Sequence, residues 1–420
     1  MPRSLGRADA LLRPLRNREL RALWLSDWIS DVGNFITAIA LAVYVNKLTG
    51  TATGVGVVLA LHSLPWFTIG PFAGVFVDRL DRRAVMIASC LCRAVLVSIL
   101  PFTHSVWQVY LLSFASALFA PFFRPARSAF LAQVAPQGQL VAALAVMGTT
   151  HQVLHMVGPA IGGLAVVLVG ARQAFFIDAA SFAMAAAVIV TIPSRGRPAG
   201  ERGTTLGDLR TGVRAIHQAR AVRTYALLNA ALTLGFAGVE AVLVVYVRDV
   251  LGRPAGQFGL VLSFAGLGTV VTSLVLAARD EHHARTPWAV ASVAGVAAFG
   301  LALLKPSFIF LLPIAFAAGL TDSGAGIPMS ATVAEELRDE LRGRAGSVVE
   351  GLDEVAAAIG ALAFAWLAEP SRLGAAAAMA ASALTGSGLG VVVLVAGGAS
   401  AIAAHERRRL APRPAVATDR

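Results

Sequence analysis

Charged residues are scarce in this sequence. They make up 14% of its 420 residues, against roughly 25% in an average soluble domain. Hydrophobic residues make up 57%, and the mean hydropathy is +0.71. A disordered chain needs low hydrophobicity and high charge, so this composition excludes disorder as well as most soluble folds. The composition favours a chain that lies in a lipid bilayer.

Lysine and cysteine are also rare, and each shortage excludes a class of site. A phosphate-binding loop needs a lysine directly after a glycine, but neither Lys47 nor Lys305, the two lysines, follows one, which excludes an ATP-driven pump. The two cysteines, Cys90 and Cys92, are too few for a disulfide framework or a four-thiolate metal site. The first 21 residues lack the apolar core and cleavage site of a signal peptide, so none is expected.

Apolar runs of about 20 residues, the length that crosses a bilayer, recur along the whole chain. We identify twelve, which predict an all-α membrane protein with twelve transmembrane helices. They cover roughly residues 22–45, 54–77, 84–103, 106–130, 139–169, 173–192, 224–247, 257–278, 287–304, 307–333, 346–368 and 374–400. The longest polar interval divides them six and six. We therefore predict an N-terminal bundle (1–192), a cytoplasmic linker (193–223) and a C-terminal bundle with a basic tail (224–420).

Within the linker, apolar residues recur at helical spacing. Leu206, Leu209, Val213 and Ile216 alternate with arginines, which predicts a short amphipathic helix at the membrane surface.

The basic residues indicate the orientation in the membrane. If the N terminus is cytoplasmic, 28 of the 35 basic residues fall in cytoplasmic segments. Positively charged loops resist translocation, so both termini are predicted to be cytoplasmic. Because the positive charge lies between apolar segments and not on one solvated face, no nucleic-acid partner is expected.

A charged motif separates the second and third segments. It reads Gly74-Val-Phe-Val-Asp78-Arg79-Leu-Asp81-Arg82-Arg83. Its acids can pair with arginines or with the positive end of a helix, and a positive-inside loop with incidental acids is the alternative. The motif resembles the signature of the major facilitator superfamily, except that Asp81 replaces the usual second glycine.

Three further stretches are similar to the branch of that superfamily that contains enterobactin and macrolide exporters. They are Phe122-Phe-Arg124-Pro125-Ala-Arg127, Gly158-Pro159-Ala-Ile-Gly162-Gly163 and Arg342-Gly343-Arg344. The resemblance implies two six-helix bundles, a location in the bacterial cytoplasmic membrane and a monomer that exports a small molecule.

The Gly158-Pro159 stretch is the one that the resemblance associates with antiporters, where it is thought to obstruct leak between the two halves. Physically, Gly158 and Gly162 lie one turn apart and admit another helix closely, while Pro159 bends the segment. General packing of small residues is the alternative.

Two acids lie in the first segment. Asp27 and Asp31 are spaced i,i+4 and so share a helix face, with Asp31 roughly 14 Å deep if counted from residue 22. Acids in a membrane persist mainly for a function, and two nearby carboxylates cannot both ionise cheaply, as suits a proton carrier. For Asp27, an interfacial position with the carboxylate reaching water is the alternative.

Glu240 and Asp322 are also deep in their segments. The resemblance implies that segments one, four, seven and ten surround a central cavity, to which segment four supplies Arg124 and Arg127. For Asp322, a local turn of Thr321-Asp322-Ser323 between helices is the alternative.

Segment eleven contributes Asp353 and Glu354 as candidates for coupling. The alternative is that they lie in the early turns of a helix, where acids favour its positive end. Asp178 on segment six is expected to have a structural partner.

The histidines His151 and His155 on segment five have a spacing that can bind zinc. The residues between them include no glutamate, so the metalloprotease motif is absent, and no metal is expected. We expect histidines of the cavity that hydrogen bond or accept protons.

Together these features predict a secondary transporter, not an enzyme. It would export a small hydrophobic or cationic compound by proton antiport with alternating access, without a cofactor and with the proton gradient as its driving force. Export of a siderophore or another biosynthetic product, and import by the same fold, are alternatives. A membrane-embedded enzyme is a remote alternative, because nothing near the histidine pair completes a catalytic site.

Overall fold

The computed structural model describes residues 13–196, 205–254, 257–278 and 285–398. All the regular secondary structure in these residues is helical. Twelve long helical stretches follow one another, and each coincides with a predicted segment. They are α1 (Arg18–Thr49), α2 (Ala52–Thr68 and Gly70–Arg79), α3 (Arg82–Ile99), α4 (Val106–Ala117 and Ala120–Val134), α5 (Leu140–Val169), α6 (Ala171–Val190), α7 (Arg220–Val245), α8 (Phe258–Ala278), α9 (Arg285–Ala298), α10 (Phe308–Glu336), α11 (Asp339–Leu367) and α12 (Gly374–Val393).

Length and apolar composition identify the helices that can cross a membrane. Within the described residues, α1, α3, α4, α6, α7 and α12 qualify by themselves, and the bent helices α2 and α5 raise the number to eight. Shorter apolar helices lie in α8, α9 and α10. The remaining helix, α11, carries several of the acids predicted to be functional.

Side-chain caps explain why α1 and α2 begin where they do. The side chain of Asn17 accepts hydrogen bonds from the amides of Glu19 and Leu20, at 2.8 and 3.1 Å. The helix ends at Gly50, whose φ of +68° is the left-handed conformation that glycine adopts readily. Thr51 then caps α2 by accepting from the amide of Gly54 at 3.2 Å. This short connection reverses the chain between α1 and α2.

Two helices bend. The axis of α2 turns by 57° between Ala52–Thr68 and Phe72–Arg79, where Pro71 lies in the first turn of the second part and lacks an amide N–H. The axis of α5 turns by 41° after His151, four residues or more before Pro159. A proline displaces the carbonyl four residues earlier, so the bend in α5 fits the prediction made from Pro159.

The helix contacts repeat with an offset of six. In the first half α1 packs against α5 and α6, and in the second half α7 packs against α11 and α12. Contacts between the halves follow the same offset, because they pair α2 with α11 and α5 with α8. The chain therefore forms two similar six-helix bundles that meet along two related helix pairs.

The two ends of the helix bundles differ. The connections between α2 and α3, α4 and α5, and α10 and α11 lie at the end where α1 begins, which we name the basic end after its arginines. The connections between α1 and α2, α3 and α4, and α11 and α12 lie at the opposite end. There, Thr53 of α2 donates a hydrogen bond to Glu369 after α11 at 2.6 Å, and Arg248 after α7 donates to Asn46 of α1. The two bundles are thus hydrogen bonded to each other at the opposite end.

The linker contains the predicted helix, Thr205–Gln218. It packs on the second bundle, where Ala215, Val222, Leu337 and Ala345 are buried together. The next helix, α7, begins at Arg220, slightly before the predicted start.

Candidate functional site

The first predicted acid, Asp27, is buried and has a charged partner. Its residue is 7% exposed, and its carboxylate forms an ion pair with the guanidinium of Arg127 on α4. The alternative that the Asp27 carboxylate reaches water is therefore wrong, because the carboxylate is buried and pairs with an arginine of another helix. Arg127 was predicted to approach this region, and the structure brings the two residues together.

The second acid, Asp31, faces a histidine. Its Oδ2 lies 3.3 Å from Nδ1 of His151 on α5. The side chains are 21% and 49% exposed, so neither is enclosed by protein. The sequence pointed to each residue separately, but only the packing of α1 on α5 shows that they are partners.

A polar residue that we did not predict continues this row. Asn34 lies one turn after Asp31, and its Nδ2 is 3.4 Å from Asp31 Oδ1. Its own Oδ1 accepts a hydrogen bond of 2.6 Å from Nη2 of Arg93 on α3. Positions 27, 31 and 34 share one helix face, so the spacing of the polar residues could have identified Asn34 from the sequence.

The second bundle supplies acids that lie apart from one another. Glu240 on α7 is half-buried, and no hydrogen bond or ion pair to it occurs among the described side chains. Asp353 on α11 accepts a hydrogen bond of 2.8 Å from Nδ2 of Asn229 on α7. Asn229 and Glu240 are three helical turns apart, or roughly 16 Å, so the structure does not bring Glu240 and Asp353 together.

The interpretation of Asp353 and Glu354 as acids of an early helical turn is wrong. The helix begins at Asp339, so both lie about four turns inside α11, beyond the reach of its positive end. Glu354 instead lies beside the Ser63 hydroxyl of α2 and within electrostatic reach of Arg124 on α4. Arg124 is 5.3 Å from the ring centre of Trp66, also on α2. Glu354 therefore faces the other bundle.

Two predicted residues have side chains outside the described part, namely Asp322 and His155. The backbone of α10 is nevertheless helical from Phe308 to Glu336. The alternative of a local turn at Thr321-Asp322-Ser323 is therefore wrong, because the backbone there is helical. Among the described residues, no group of three or more His, Cys, Asp or Glu side chains can hold a metal ion.

The charged motif at the basic end shows why an aspartate can replace a glycine. Asp81 caps α3, since its Oδ1 accepts from the amides of Arg83 and Ala84 at 2.9 and 3.2 Å. The same oxygen accepts from the amide of Gly196 after α6, at 3.2 Å. Asp81 thus joins the start of α3 to the end of α6.

The arginines of the motif differ in their roles. Arg83 donates to the carbonyl groups of Ile189 and Val190 at 3.2 and 2.5 Å, and so caps the end of α6. Arg82 lies 3.7 Å from Asp78, one turn before it. Arg79 is exposed, and a side chain at Gly74 would contact nothing within 4 Å. Close packing therefore does not explain Gly74 in this conformation.

The Gly158-Pro159 stretch contacts two helices. A Cβ atom at Gly162 would lie 2.6 Å from the carbonyl oxygen of Phe35, so the glycine lets α5 approach α1. On the other side, a Cβ atom at Gly259 of α8 would lie 2.5 Å from the carbonyl oxygen of Pro159 and 3.1 Å from Cα of Gly163. The motif thus packs inside its own bundle and against the other bundle.

Comparison with known proteins identifies the family. Residues 9–418 match the family described as transmembrane secretion effectors. The chain belongs to the transmembrane secretion effector family of the major facilitator superfamily.

Several curated relatives of this family member are efflux proteins. This chain is 24% identical over 350 residues to macrolide efflux protein A of Streptococcus pyogenes, and the matched region covers 80% of this chain and 86% of that protein. It is 26% identical over 338 residues to the multidrug efflux pump Tap of Mycolicibacterium fortuitum, covering 76% and 82%. An uncharacterized transporter of Bacillus subtilis is 24% identical over 276 residues, or 64% of this chain and 66% of the transporter.

Solved structures confirm the fold of this transmembrane secretion effector. A bacterial homologue of the human lysosomal transporter Spinster, in an inward-facing and unoccupied conformation, covers 96% of this chain and 99% of its own, with a TM-score of 0.74 and 14% identity. A nucleoside transporter covers 91% and 99%, with a TM-score of 0.75 and 13% identity. The chain is a multi-pass membrane protein and a secondary transporter of small molecules, not an enzyme, as predicted.

Proposed function

We propose that this chain exports a small hydrophobic or cationic compound from the bacterial cytoplasm by proton antiport. The basic end faces the cytoplasm in this proposal, because positively charged segments resist translocation. Both termini then lie in the cytoplasm. The efflux proteins among the relatives support export, and the contacts of Asp31 support proton coupling.

The observation that carries the proposal is the different pairing of the two acids on α1. Protonation of Asp27 would break its ion pair with the partly buried guanidinium of Arg127, which is costly. Protonation of Asp31 breaks no ion pair with an arginine, because its partner within ion-pair distance is His151, which can itself be neutral. Asp31 is therefore the acid that exchanges the proton, and Asp27 keeps its charge.

The proposed cycle follows from this assignment. A cationic compound and a proton compete for the single negative charge of Asp31. Binding of the compound from the cytoplasm releases a proton there, and a proton from outside later displaces the compound to the outside. Glu240, which has no described ion-pair partner, supplies a second negative charge for a cation on the other bundle.

Alternating access requires that one end of the molecule close while the other opens. In this structure the bundles are joined at the opposite end by the Thr53–Glu369 and Asn46–Arg248 hydrogen bonds. These bonds support a conformation that is closed to the outside. They must break when the compound leaves.

Everted membrane vesicles provide the test. A lipophilic cationic dye serves as the probe, and respiration supplies a pH gradient with an acidic interior. We expect wild-type vesicles to accumulate the dye, and both a protonophore and the variant Asp31→Asn to abolish the accumulation. The control is Glu336→Gln, which makes the same change from acid to amide at an exposed residue outside the proposed site.

Three results would contradict parts of the proposal. Accumulation that survives collapse of the pH gradient would refute proton antiport. Accumulation that survives in Asp31→Asn would refute the role of that residue. Accumulation of a solute by intact cells, driven by the same gradient, would indicate import.

A further inference from the structure

Arg93 is a charged residue inside the first bundle that the proposed cycle does not use. It lies on α3 and reaches between α1 and α6. Its Nη2 donates to Asn34 Oδ1 at 2.6 Å, and its guanidinium carbon lies 4.1 Å from the ring centre of Phe182. The hydrogen bond and the cation–π contact hold the guanidinium in one place.

A buried acid accompanies this arginine. Asp178 on α6 is 1% exposed and lies within electrostatic reach of Arg93. Ser181 donates to Asp178 Oδ1 at 3.1 Å, whereas Oδ2 has no hydrogen-bond partner among the described residues. The opposite charges of Arg93 and Asp178 compensate each other, because an isolated charge is costly at this depth.

A glycine brings this pair close to α1. A Cβ atom at Gly33 would lie 3.0 Å from Cβ of Ser181 and would collide with the Asp178 carboxylate. The lack of a side chain at Gly33 therefore lets α6 pack directly against α1, beside the row formed by Asp31 and Asn34.

The chemistry of arginine fixes the orientation of the Asn34 amide. A guanidinium can only donate hydrogen bonds, so the atom that faces Arg93 must be the carbonyl oxygen of Asn34. The other end of the amide, Nδ2, then faces Asp31 Oδ1 at 3.4 Å. Without Arg93, the amide could rotate and present its oxygen to the carboxylate.

We propose that Arg93 is a positioning residue for proton coupling: held by Asp178 and Phe182, it fixes Asn34 so that an N–H group faces the Asp31 carboxylate. The proposal rests on the proposed function, in which Asp31 exchanges the proton. The N–H group is then a hydrogen-bond donor to the ionised carboxylate, and the loss of either Asn34 or Arg93 removes this arrangement.

The groups around Asp31 define what else acts on its charge. Asp27 lies one turn before it on α1 and is paired with Arg127 of α4. His151 approaches from α5, and Arg93 lies behind Asn34 on α3. The guanidinium groups of Arg93 and Arg127 are both within electrostatic reach of the Asp31 carboxylate. Among the described residues, only the Asn34 amide connects Asp31 to the pair of Arg93 and Asp178 by hydrogen bonds.

Infrared titration of the full-length protein in lipid nanodiscs tests the proposal without any substrate. The stretching band of protonated carboxyl groups is recorded against pH, and the difference between wild type and Asp31→Asn isolates the band of Asp31. We expect the midpoint of that band to rise by about one pH unit in Asn34→Leu and in Arg93→Gln. Arg93→Lys, which keeps a charged donor, should retain a midpoint near that of the wild type.

Two comparisons separate positioning from other effects. Arg172→Gln is the matched control, since Arg172 donates to Tyr44 and Thr103 at the opposite end, and its midpoint should equal that of the wild type. If Arg93 acts through Asn34, the double variant Asn34→Leu/Arg93→Gln should shift no further than Asn34→Leu alone. Additive shifts would show that Arg93 acts directly through its charge, which would overturn the proposal.

The remaining outcomes are also decisive. Equal midpoints in wild type, Asn34→Leu and Arg93→Gln would overturn the positioning role even if proton-driven export is observed. A shifted midpoint in a protein whose export ignores the pH gradient would refute the proposed function but support the positioning role. If Arg93→Gln does not fold, Asn34→Leu decides alone, because it removes the connection and leaves the pair of Arg93 and Asp178 in place.

Discussion

The guanidinium of Arg127 forms an ion pair with Asp27 across α1 and α4, while the carboxylate of Asp31, one turn away, lies 3.3 Å from the half-exposed imidazole of His151 and is only within electrostatic reach of Arg127. The free energy needed to protonate the carboxylate therefore differs between these two aspartates, although they lie only four residues apart. A proton on Asp27 breaks a buried ion pair, and a proton on Asp31 does not. This difference assigns a structural role to one acid and an exchangeable proton to the other.

The first prediction concerns the ion pair. Asp27→Asn should destabilise the protein by about 3 kcal/mol, because it removes the carboxylate partner of the partly buried Arg127 guanidinium. The double variant Asp27→Asn/Arg127→Gln should recover most of that stability, because no unpaired charge remains. Thermal unfolding in detergent measures both. If the double variant is less stable than either single variant, the pair is not the reason for the loss.

The second prediction concerns closure at the opposite end. Thr53→Val removes the hydrogen bond to Glu369, which is worth about 1 kcal/mol, and should shift the population toward the outward-open state roughly fivefold. Spin labels at His104 and Lys305, in loops of the two bundles at that end, should report a larger fraction of long distances.

The control for this experiment is Thr68→Val. Among the described contacts, the hydroxyl of Thr68 donates only to the carbonyl of Leu64 in its own helix. Thr68→Val therefore makes the same chemical change as Thr53→Val without removing a contact between the bundles. Identical distance distributions for Thr53→Val and Thr68→Val would show that the Thr53–Glu369 bond does not hold the bundles together.

The third prediction concerns the contact of α5 with α8. Gly259→Ala would place a methyl group 2.5 Å from the carbonyl oxygen of Pro159, so the helices must separate. We expect dye export to fall several-fold, because overpacking of this kind costs roughly 1–3 kcal/mol in the closed conformation. Gly148→Ala on α5, where a methyl group contacts nothing within 4 Å, should retain wild-type export. Equal activity of the two variants would rule out a close contact at Gly259.

The fourth prediction concerns the cap of α3. Asp81→Ala should lower the stability by about 1 kcal/mol, and Asp81→Asn should lower it much less, because asparagine also accepts hydrogen bonds from helix amides. Thermal unfolding distinguishes the two. A loss that is equal in both variants would indicate that the negative charge of Asp81, and not its capping oxygen, stabilises this end.

Much of the fold could be predicted from the sequence because bilayer thickness sets the length of each apolar run. The twelve segments and the linker helix follow from that constraint and from helical periodicity. Pro159 likewise predicted the bend in α5. The start of α11 could not be predicted in this way, since its first turns are charged and extend beyond the apolar run.

The partners within the site could not be predicted, because they depend on how helices rotate and pack. The spacing of Asp27 and Asp31 put them on one face, but nothing in the spacing shows that one meets Arg127 and the other His151. The sequence places Arg93 as a charged residue inside the third apolar segment, 84–103. Its contact with Asn34 requires the approach of α3 and α6 to α1, which depends on the missing side chain at Gly33.

The most direct test of the central claim is to count protons when a compound binds. Purified protein in weakly buffered detergent solution is mixed with the cationic dye, at a pH where Asp31 is protonated, and the pH change is recorded. We expect about one proton to be released per dye bound by the wild type, and none by Asp31→Asn, because the dye and the proton compete for one carboxylate. Dye binding by the wild type without proton release, or undiminished release by Asp31→Asn, would contradict it.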